Sequence, residues 1–207
     1  GTEFEIDAVT GIVTVAGSID RELGATRTIY VKATSTDGST SQQSFTVNVT
    51  DVDEFDVTTA ADTADGNTSS IANLIANKGA DGKISLREAI LAANNTAGSD
   101  TITFAIGSGA QTINLASALP TITSVIHIQG DSQVGFAGEP LIALNGASAG
   151  AGSAGLVFSG AGAAGGSVEY LAINNFSSSG IRITSTSNIS VAGNYLGTNL
   201  AGSAAAG

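Results

Sequence analysis

Residues 125–130 read Val125-Ile126-His127-Ile128-Gln129-Gly130, a short apolar strand that ends at a glycine. Similar short apolar runs recur through the second half of the chain, separated by Gly, Ser or Asn. They are Thr101–Phe104, Thr112–Leu115, Val125–Ile128, Leu141–Leu144, Leu156–Phe158, Val168–Ile173, Gly180–Ile183 and Ile189–Val191. No helical pattern separates the runs, so this part of the chain is predicted to be all-β.

Two architectures fit this spacing of strands: an antiparallel sandwich, or a solenoid that stacks three short strands in each coil. Asparagine at the bends favours the solenoid. Asn tolerates left-handed backbone geometry, and identical Asn side chains stack into ladders between coils. The asparagines at such positions are Asn174, Asn175, Asn188 and Asn194.

One amphipathic segment precedes the strand repeats. Ser85 stands at the N-cap position and Glu88 follows three residues later, which is the capping-box pattern. An apolar face at helical spacing follows, made of Leu86, Ala89, Ile90 and Ala93. The sequence therefore predicts a single helix in the whole chain, over residues 85–94.

The first segment of the chain alternates apolar and polar residues as strands do. Residues 28–33 and 44–49 are rich in β-forming residues, and the Asp37-Gly38 pair between them is a hairpin signal. A second turn is expected at residues 7–11. Strands separated by short polar turns predict a sandwich.

A change in charge marks the end of this segment. Residues 1–65 contain twelve acids: Glu3, Glu5, Asp7, Asp20, Glu22, Asp37, Asp51, Asp53, Glu54, Asp56, Asp62 and Asp65. From Thr101 onward the charged residues are only Asp131, Glu139, Glu169 and Arg182. We place the boundary between the two regions near Phe55.

The composition argues against several classes of protein. A formal net charge of -11 argues against binding to nucleic acid, whose phosphates require Lys and Arg, and against an anionic membrane surface. The chain has no Cys, which excludes disulfides and thiolate metal sites. No run approaches the roughly 18 apolar residues of a membrane span. The N-terminus lacks a signal sequence, so we expect both ends to be cuts through a longer protein.

Four motifs follow one another in residues 3–54. They are Phe4-Glu5-Ile6-Asp7-x-x-Thr10-Gly11-Ile12, Ile19-Asp20-Arg21-Glu22, Tyr30-x-x-Ala33-Thr34 and Asp51-Val52-Asp53-Glu54. This stretch resembles the second half of a cadherin repeat. The resemblance implies that Asp20 and Glu22 correspond to the calcium-binding carboxylates of that family. It also implies that Asp51, Asp53 and Glu54 correspond to its closing calcium-binding linker.

Clustered carboxylates agree with this implication, because Ca²⁺ prefers six to eight oxygen ligands. Three departures from the family pattern count against it. The stretch lacks the Glu that the family supplies from the start of the repeat. Ser35 stands where an Asp is common, which leaves Asp37, and the sequence that follows does not resemble a second repeat. The alternative interpretation of these acids is a solvated, turn-forming edge.

A second resemblance begins at Asp81. The run Asp81-Gly82-Lys83-Ile84-Ser85-Leu86-Arg87-Glu88-Ala89-Ile90 is similar to the motif of the bacterial CSLREA-type domain, with Ile84 in place of its Cys. Residues 189–199 resemble the repeats of the same proteins. The resemblance implies that this helix caps a right-handed parallel β-helix, whose first coil would otherwise expose apolar surface and strand edges. An EF-hand loop fits less well, because Asn77 and Gly79 stand where acidic ligands are expected.

Some β-helix proteins are polysaccharide lyases or hydrolases, which gather acids and a Lys or Arg on one face. A lyase needs a base and a neutralising cation, but Asp131, Glu139, Glu169 and Arg182 are widely separated in this sequence. His127, the only His, is interpreted as a structural strand residue. No catalytic residue is therefore assigned. A carbohydrate-active enzyme with catalytic coils beyond Gly207 is the alternative, and a non-catalytic glycan-binding stalk is a third possibility.

The sequence thus predicts an all-β chain in three parts. Residues 1–55 are expected to be the C-terminal part of an Ig-like, cadherin-type sandwich. Residues 56–100 are expected to be a linker and cap with one helix, and residues 101–207 the first coils of a right-handed parallel β-helix.

The expected role is adhesive or structural and calcium-dependent, on a secreted or surface-attached bacterial protein that is not an enzyme. Other surface proteins, glycans and an upstream cadherin-like repeat are the expected partners. Neither nucleic-acid binding nor direct membrane insertion is expected.

Overall fold

The computed structural model describes residues 4–16, 26–48 and 54–206. The chain is mostly β, with 37% strand and 11% helix. It divides into two compact units, residues 1–51 and residues 52–207. The division lies a few residues before Phe55, which belongs to the second unit because its strand pairs there. The segments 56–100 and 101–207 share this second unit.

The first unit contains two antiparallel hairpins among its described residues. Strand β1 (Phe4–Ile6) pairs with β2 (Val13–Val15), and β3 (Thr26–Thr34) pairs with β4 (Thr40–Asn48). The predicted Asp37-Gly38 turn joins β3 to β4. Gly38 has φ 84°, a left-handed conformation that glycine adopts without steric cost. The alternating pattern thus correctly predicted the long β3–β4 hairpin.

The described residues of the second unit form eleven short strands. They are β5 (Glu54–Val57), β6 (Ser99–Phe104), β7 (Gln111–Asn114), β8 (Val125–Gln129), β9 (Ile142–Asn145), β10 (Leu156–Ser159), β11 (Ser167–Glu169), β12 (Leu171–Asn174), β13 (Ile181–Thr184), β14 (Ser190–Ala192) and β15 (Tyr195–Leu196).

These strands form three sheets in which every strand pair is parallel. The first sheet has the order β14-β11-β8-β6-β5, and the second has the order β15-β12-β9-β7. The third contains β10 and β13, and Ile122 is joined to its Phe158 by an isolated parallel bridge. From β6 onward, successive segments of the chain lie in the first, second and third sheets, and this order then repeats. Parallel pairing excludes the antiparallel sandwich for this part of the chain.

The core lies between the three sheets, where the inward side chains of neighbouring strands in each sheet stack in register. In the first sheet Ile102 pairs with Ile128, and Ile128 pairs with Val168; all three side chains are 0% exposed. Leu144 and Ile173 form a similar buried column in the second sheet. Short strands can be stable here because each one buries its inward residues against two neighbouring sheets.

Two helices lie between β5 and β6. The predicted one is α2 (Leu86–Asn94), and its Ser85–Glu88 capping box is present. The other, α1 (Ile71–Ala76), shows that the prediction of a single helix was wrong. Helix α1 has six residues and buries only Ile71 and Leu74, so it carries too short an apolar pattern to be recognised from the sequence.

The corner between the first and second sheets divides the predicted strand 168–173. Tyr170 has φ 53°, a left-handed backbone conformation that ends β11 before β12 begins. Its ring lies over Gly193, where an added Cβ would come within 2.5 Å of the ring. Phe136 packs edge-on against the same ring, with 4.9 Å between ring centroids. The pattern of apolar residues does not show this corner, because Val168 and Leu171 are buried on either side of it.

Asparagine occupies two of the predicted left-handed positions. Asn175 has φ 58° and Asn188 has φ 57°. A ladder of amides also forms: the Nδ2 of Asn145 donates to Asn114 Oδ1 at 2.8 Å, and the Nδ2 of Asn175 donates to Asn145 Oδ1 at 2.9 Å. Left-handed Asn is therefore confirmed at Asn175 and Asn188 but not at Asn174 and Asn194, and of the three ladder residues only Asn175 was predicted at a bend.

Candidate functional site

The predicted calcium ligands fall almost entirely outside the part of the chain that the structure describes. Asp20, Glu22, Asp51 and Asp53 lie outside the described residues, and only the backbone of Glu54 is described. Glu54 begins β5 and pairs in register with Thr101 of β6. Among the described residues no group of three or more acidic or His side chains is arranged to hold a metal ion. Calcium binding by these five residues therefore stays a prediction.

Two other acids of the first unit support turns. The Oδ1 of Asp7 accepts hydrogen bonds from the backbone amides of Val9 and Thr10, both at 2.8 Å. Hydrogen bonds from the Ser35 side chain and the Ser39 amide lower the pKa of Asp37 to about 2. Hydrogen bonds from the Thr10 and Val9 amides likewise lower the pKa of Asp7. Both carboxylates thus act as turn residues.

A group of hydrogen-bonded polar side chains surrounds α2. Its apolar face lies in the core of the second unit, where Leu86 is 1% exposed and Ile90 is 0% exposed. The helix packs against β5 and β6, the two strands at one edge of the first sheet. Burial of an apolar helix face at this edge covers hydrophobic surface that strands would otherwise expose.

Glu88 is a buried carboxylate that orders the loop before α1. Its Oε1 accepts hydrogen bonds from the backbone amides of Asp65 at 2.8 Å and Gly66 at 2.7 Å. Its Oε2 accepts a hydrogen bond from the backbone amide of Ser85 at 2.9 Å. Three amide donors satisfy a charge that burial would otherwise penalise. Gly66 packs closely at this site, where an added Cβ would come within 2.7 Å of the Leu74 side chain and 3.1 Å of Glu88 Oε1.

Arg87 joins the same loop to the connection between β7 and Ile122. Its guanidinium donates to both carboxylate oxygens of Asp62, at 2.9 Å and 2.8 Å. It also donates to the carbonyl oxygens of Ser117 and Ala118, at 3.0 Å and 2.8 Å. Asp62 in turn accepts a hydrogen bond from the backbone amide of Ala116 at 2.9 Å.

Asn94 makes the equivalent contacts at the other end of α2. Its Nδ2 donates to the carbonyl of Thr121 at 2.7 Å, and its Oδ1 accepts from the amide of Thr123 at 2.8 Å and that of Ser124 at 3.3 Å. These backbone groups flank Ile122, the outermost position of the third sheet. The side chains of α2 therefore bind backbone groups that a neighbouring strand would otherwise pair. Asp62 and Asn94 could not be recognised as site residues from the sequence, because their partners are distant in the chain.

A second polar row runs across the first sheet. Ring atom Nδ1 of His127 lies 2.9 Å from Ser167 Oγ, and Nε2 lies 3.2 Å from Ser99 Oγ. The three residues belong to β8, β11 and β6. Because hydroxyls bind both ring nitrogens, no carboxylate orients the imidazole as a nucleophilic triad requires. This geometry is typical of a structural ladder between strands and agrees with the interpretation of His127 as a strand residue.

The four charged residues considered for catalysis are distributed over different parts of the second unit. Asp131 lies in the turn after β8, and Glu139 follows in the same connection to β9. Glu169 ends β11 in the first sheet, whereas Arg182 lies in β13 of the third sheet. Within the described part of the chain, no ion pair or hydrogen bond joins any two of the four.

Comparisons of the chain with protein-family models, with curated proteins and with solved structures found no match. In the part of the chain that the structure describes, no helix has the length and apolar character needed to cross a bilayer.

Proposed function

We propose that this chain is part of a secreted or surface-attached bacterial protein with a calcium-dependent adhesive or structural role. In this proposal residues 1–55 are the C-terminal part of a cadherin-like repeat. Residues 56–100 cap a right-handed parallel β-helix, and residues 101–207 are its coils. One observation carries the proposal: successive strands lie in three parallel sheets in a repeating order. Helix α2 covers one end of this stack of strands.

This architecture suits a spacer better than a reaction site. Each strand pairs only with the neighbouring strands of its sheet, so the second unit can be stable without a large globular core. The side chains that point away from the core include three polar ones on three different sheets, namely Thr112, His127 and Thr184. Such faces can bind surface proteins or glycans by contact alone, and they need no catalytic group.

Support for calcium comes from the acidic first segment. Asp20, Glu22, Asp51, Asp53 and Glu54 are carboxylates, the hard oxygen ligands that Ca²⁺ prefers. A cation that rigidifies the repeat would keep the first unit extended. The expected partner at this end is a cadherin-like repeat upstream, and neither nucleic acid nor a bilayer is proposed as a ligand.

The proposal is tested with beads coated with a protein that carries the complete repeat and residues 1–207. We expect the beads to aggregate in calcium and to disperse in chelator. The variant Asp20→Asn/Glu22→Gln should abolish the aggregation, and Asp131→Asn/Glu139→Gln is the matched control that should keep it. Thermal unfolding gives a second measurement: Ca²⁺ at 100 times its dissociation constant should add about 2.7 kcal/mol.

The enzymatic alternative predicts different results in a parallel assay. The same protein is incubated with pectate, alginate and neutral glycans in calcium, and new reducing ends and unsaturated products are measured. Turnover that is lost in Asp131→Ala or Glu139→Ala would replace the adhesive proposal with a carbohydrate-active enzyme. Identical melting temperatures in calcium and in chelator would contradict the calcium-dependent part of the adhesive proposal.

A further inference from the structure

Three columns of core side chains become exposed at the same end of the second unit. In each sheet an inward residue of the last strand pairs in register with a residue of the strand before it. The pairs are Phe158 with Ile183, Val168 with Val191, and Ile173 with Leu196. The earlier residue of every pair is 0% exposed, whereas Ile183 is 44%, Val191 43% and Leu196 48% exposed. All three columns therefore end in uncovered aliphatic side chains.

The strands at this end also have one unpaired edge each. Strands β14, β13 and β15 are the outermost members of the first, third and second sheets. Proteins commonly protect such edges with Lys, Pro, bulges or a covering helix. The three strands contain neither Lys nor Pro, and their one charged residue is Arg182. The opposite end differs, because α2 binds the backbone beside Ile122 there.

We propose that this end is a docking surface for one further turn of three parallel strands, added in register on β13, β14 and β15. The occupant presents an inward aliphatic residue on each strand and small residues or Asn at its corners. This inference rests on the observed register and exposure, and it does not depend on the adhesive role or on calcium.

A parallel strand added at this end would continue the strand pairing already present in each sheet. Every strand pair in the three sheets is parallel, and each sheet grows in chain order toward this end from β6 and β7 onward. A second copy of the same chain would dock differently. Two copies that meet through the same surface are related by a two-fold axis, which would make their edge strands antiparallel. The columns would then not continue at the same spacing.

The bends next to β12 and β15 show which residue types would be expected at the bends of an added turn. The Nδ2 of Asn174 donates to the carbonyl of Thr198 at 2.9 Å, and the amide of Gly197 donates to the carbonyl of Ile173 at 2.9 Å. The ring of Tyr195 lies against Gly202, where a Cβ would come within 2.8 Å. Amide side chains and glycines thus form the corners of the last turn, as they do earlier in the stack.

The test adds a turn of the chain's own sequence. Residues 176–196, which contain a third-sheet, a first-sheet and a second-sheet strand in that order, are appended after Gly207, and amide hydrogen exchange of β13–β15 is measured in the full-length protein. If the turn docks, exchange of these amides should slow by about tenfold or more, while α2 keeps its rate. The matched control carries Ser at the inward positions of the added turn only, namely those copied from Ile181, Ile183, Val191 and Leu196.

Two further measurements complete the test. The substitution Leu196→Asp in the extended protein should return the exchange rates to those of the serine control. Without the added turn, exchange at β13–β15 should not depend on protein concentration. Equal exchange rates of β13–β15 in the extended and control proteins would overturn the proposal. This holds also if the rates are equal because the added turn does not fold. Protection that grows with the concentration of the 207-residue chain would overturn it in favour of a second copy.

Discussion

Arg87 of α2 and Asp62 of the preceding loop share two parallel hydrogen bonds, from Nε to Oδ1 at 2.9 Å and from Nη2 to Oδ2 at 2.8 Å. Both side chains are largely buried, with 14% and 6% of their surfaces exposed. The pair connects three separate segments, because Arg87 also binds the carbonyls of Ser117 and Ala118. A planar guanidinium can serve two carboxylate oxygens and two carbonyls at once, which an ammonium group cannot do in this geometry.

The first prediction concerns this pair. The substitution Arg87→Met should lower the free energy of unfolding by about 3 kcal/mol, because it leaves the Asp62 carboxylate buried without its cation. Arg87→Lys should recover only part of the loss. Urea denaturation measures both values. Arg182→Met is the control, since Arg182 is exposed in β13, and it should change stability by less than about 0.5 kcal/mol. Similar losses at Arg87 and Arg182 would show that the pair does not stabilise the cap.

The second prediction tests whether α2 covers the core. Leu86 is 1% exposed, so Leu86→Ala should cost about 2–5 kcal/mol of unfolding free energy. Leu86→Asp should go further and cause aggregation, because it separates the helix from the edge that it covers. Light scattering and urea denaturation are the measurements. Ile75→Ala in α1 removes an aliphatic side chain that is 49% exposed, and it should have a small effect. A monomeric, fully stable Leu86→Asp variant would argue that the helix is not a cap.

The third prediction concerns the amide ladder. Asn145 donates to Asn114 and accepts from Asn175 and from the Ala147 amide. Asn145→Ala should therefore cost about 2 kcal/mol, since it leaves Asn175 with one fewer partner in a partly buried site. Asn114→Ala is the matched control: it removes only the exposed end of the ladder and should cost less. Equal effects in urea denaturation would mean that the central amide has no special role.

The fourth prediction concerns pH. The pKa of Asp37 is lowered to about 2 from its ordinary value of 3.8, first by the Ser35 side chain and then by the Ser39 amide. A lowered folded-state pKa stabilises the turn above the unfolded value and loses this effect as the pH falls from 3.8 toward 2. Carboxyl-carbon NMR titration should give an Asp37 midpoint near 2. Ser35→Ala should raise the midpoint, whereas Ser41→Ala in β4 should not. An Asp37 midpoint at the ordinary value would contradict the hydrogen bonds.

Much of this architecture could be predicted from local sequence patterns. Strands at 125–129 and 156–159, the Ser85–Glu88 capping box and the Asp37-Gly38 turn each depend on residues close together in the chain. Propensity, periodicity and capping chemistry act over such short distances, so the sequence carries their signal directly. The calcium-site prediction also came from the sequence, and its residues lie almost entirely outside the described part of the chain.

Only the tertiary structure decided which strands pair and which side chains close the edges. The spacing of the apolar runs fitted parallel and antiparallel arrangements alike, because short apolar strands are similar in both, and only the Asn bends and the family resemblance favoured the parallel one. Pairings such as Val168 with Ile128 depend on the combined lengths of all the turns between them. Asn94 and Asp62 became recognisable only when folding brought them to the backbone at Thr123 and Ala116. Composition and local spacing by themselves determine short strands, a capped helix and Asn-rich bends; long-range packing determines their order, their register and the exposed end at Leu196.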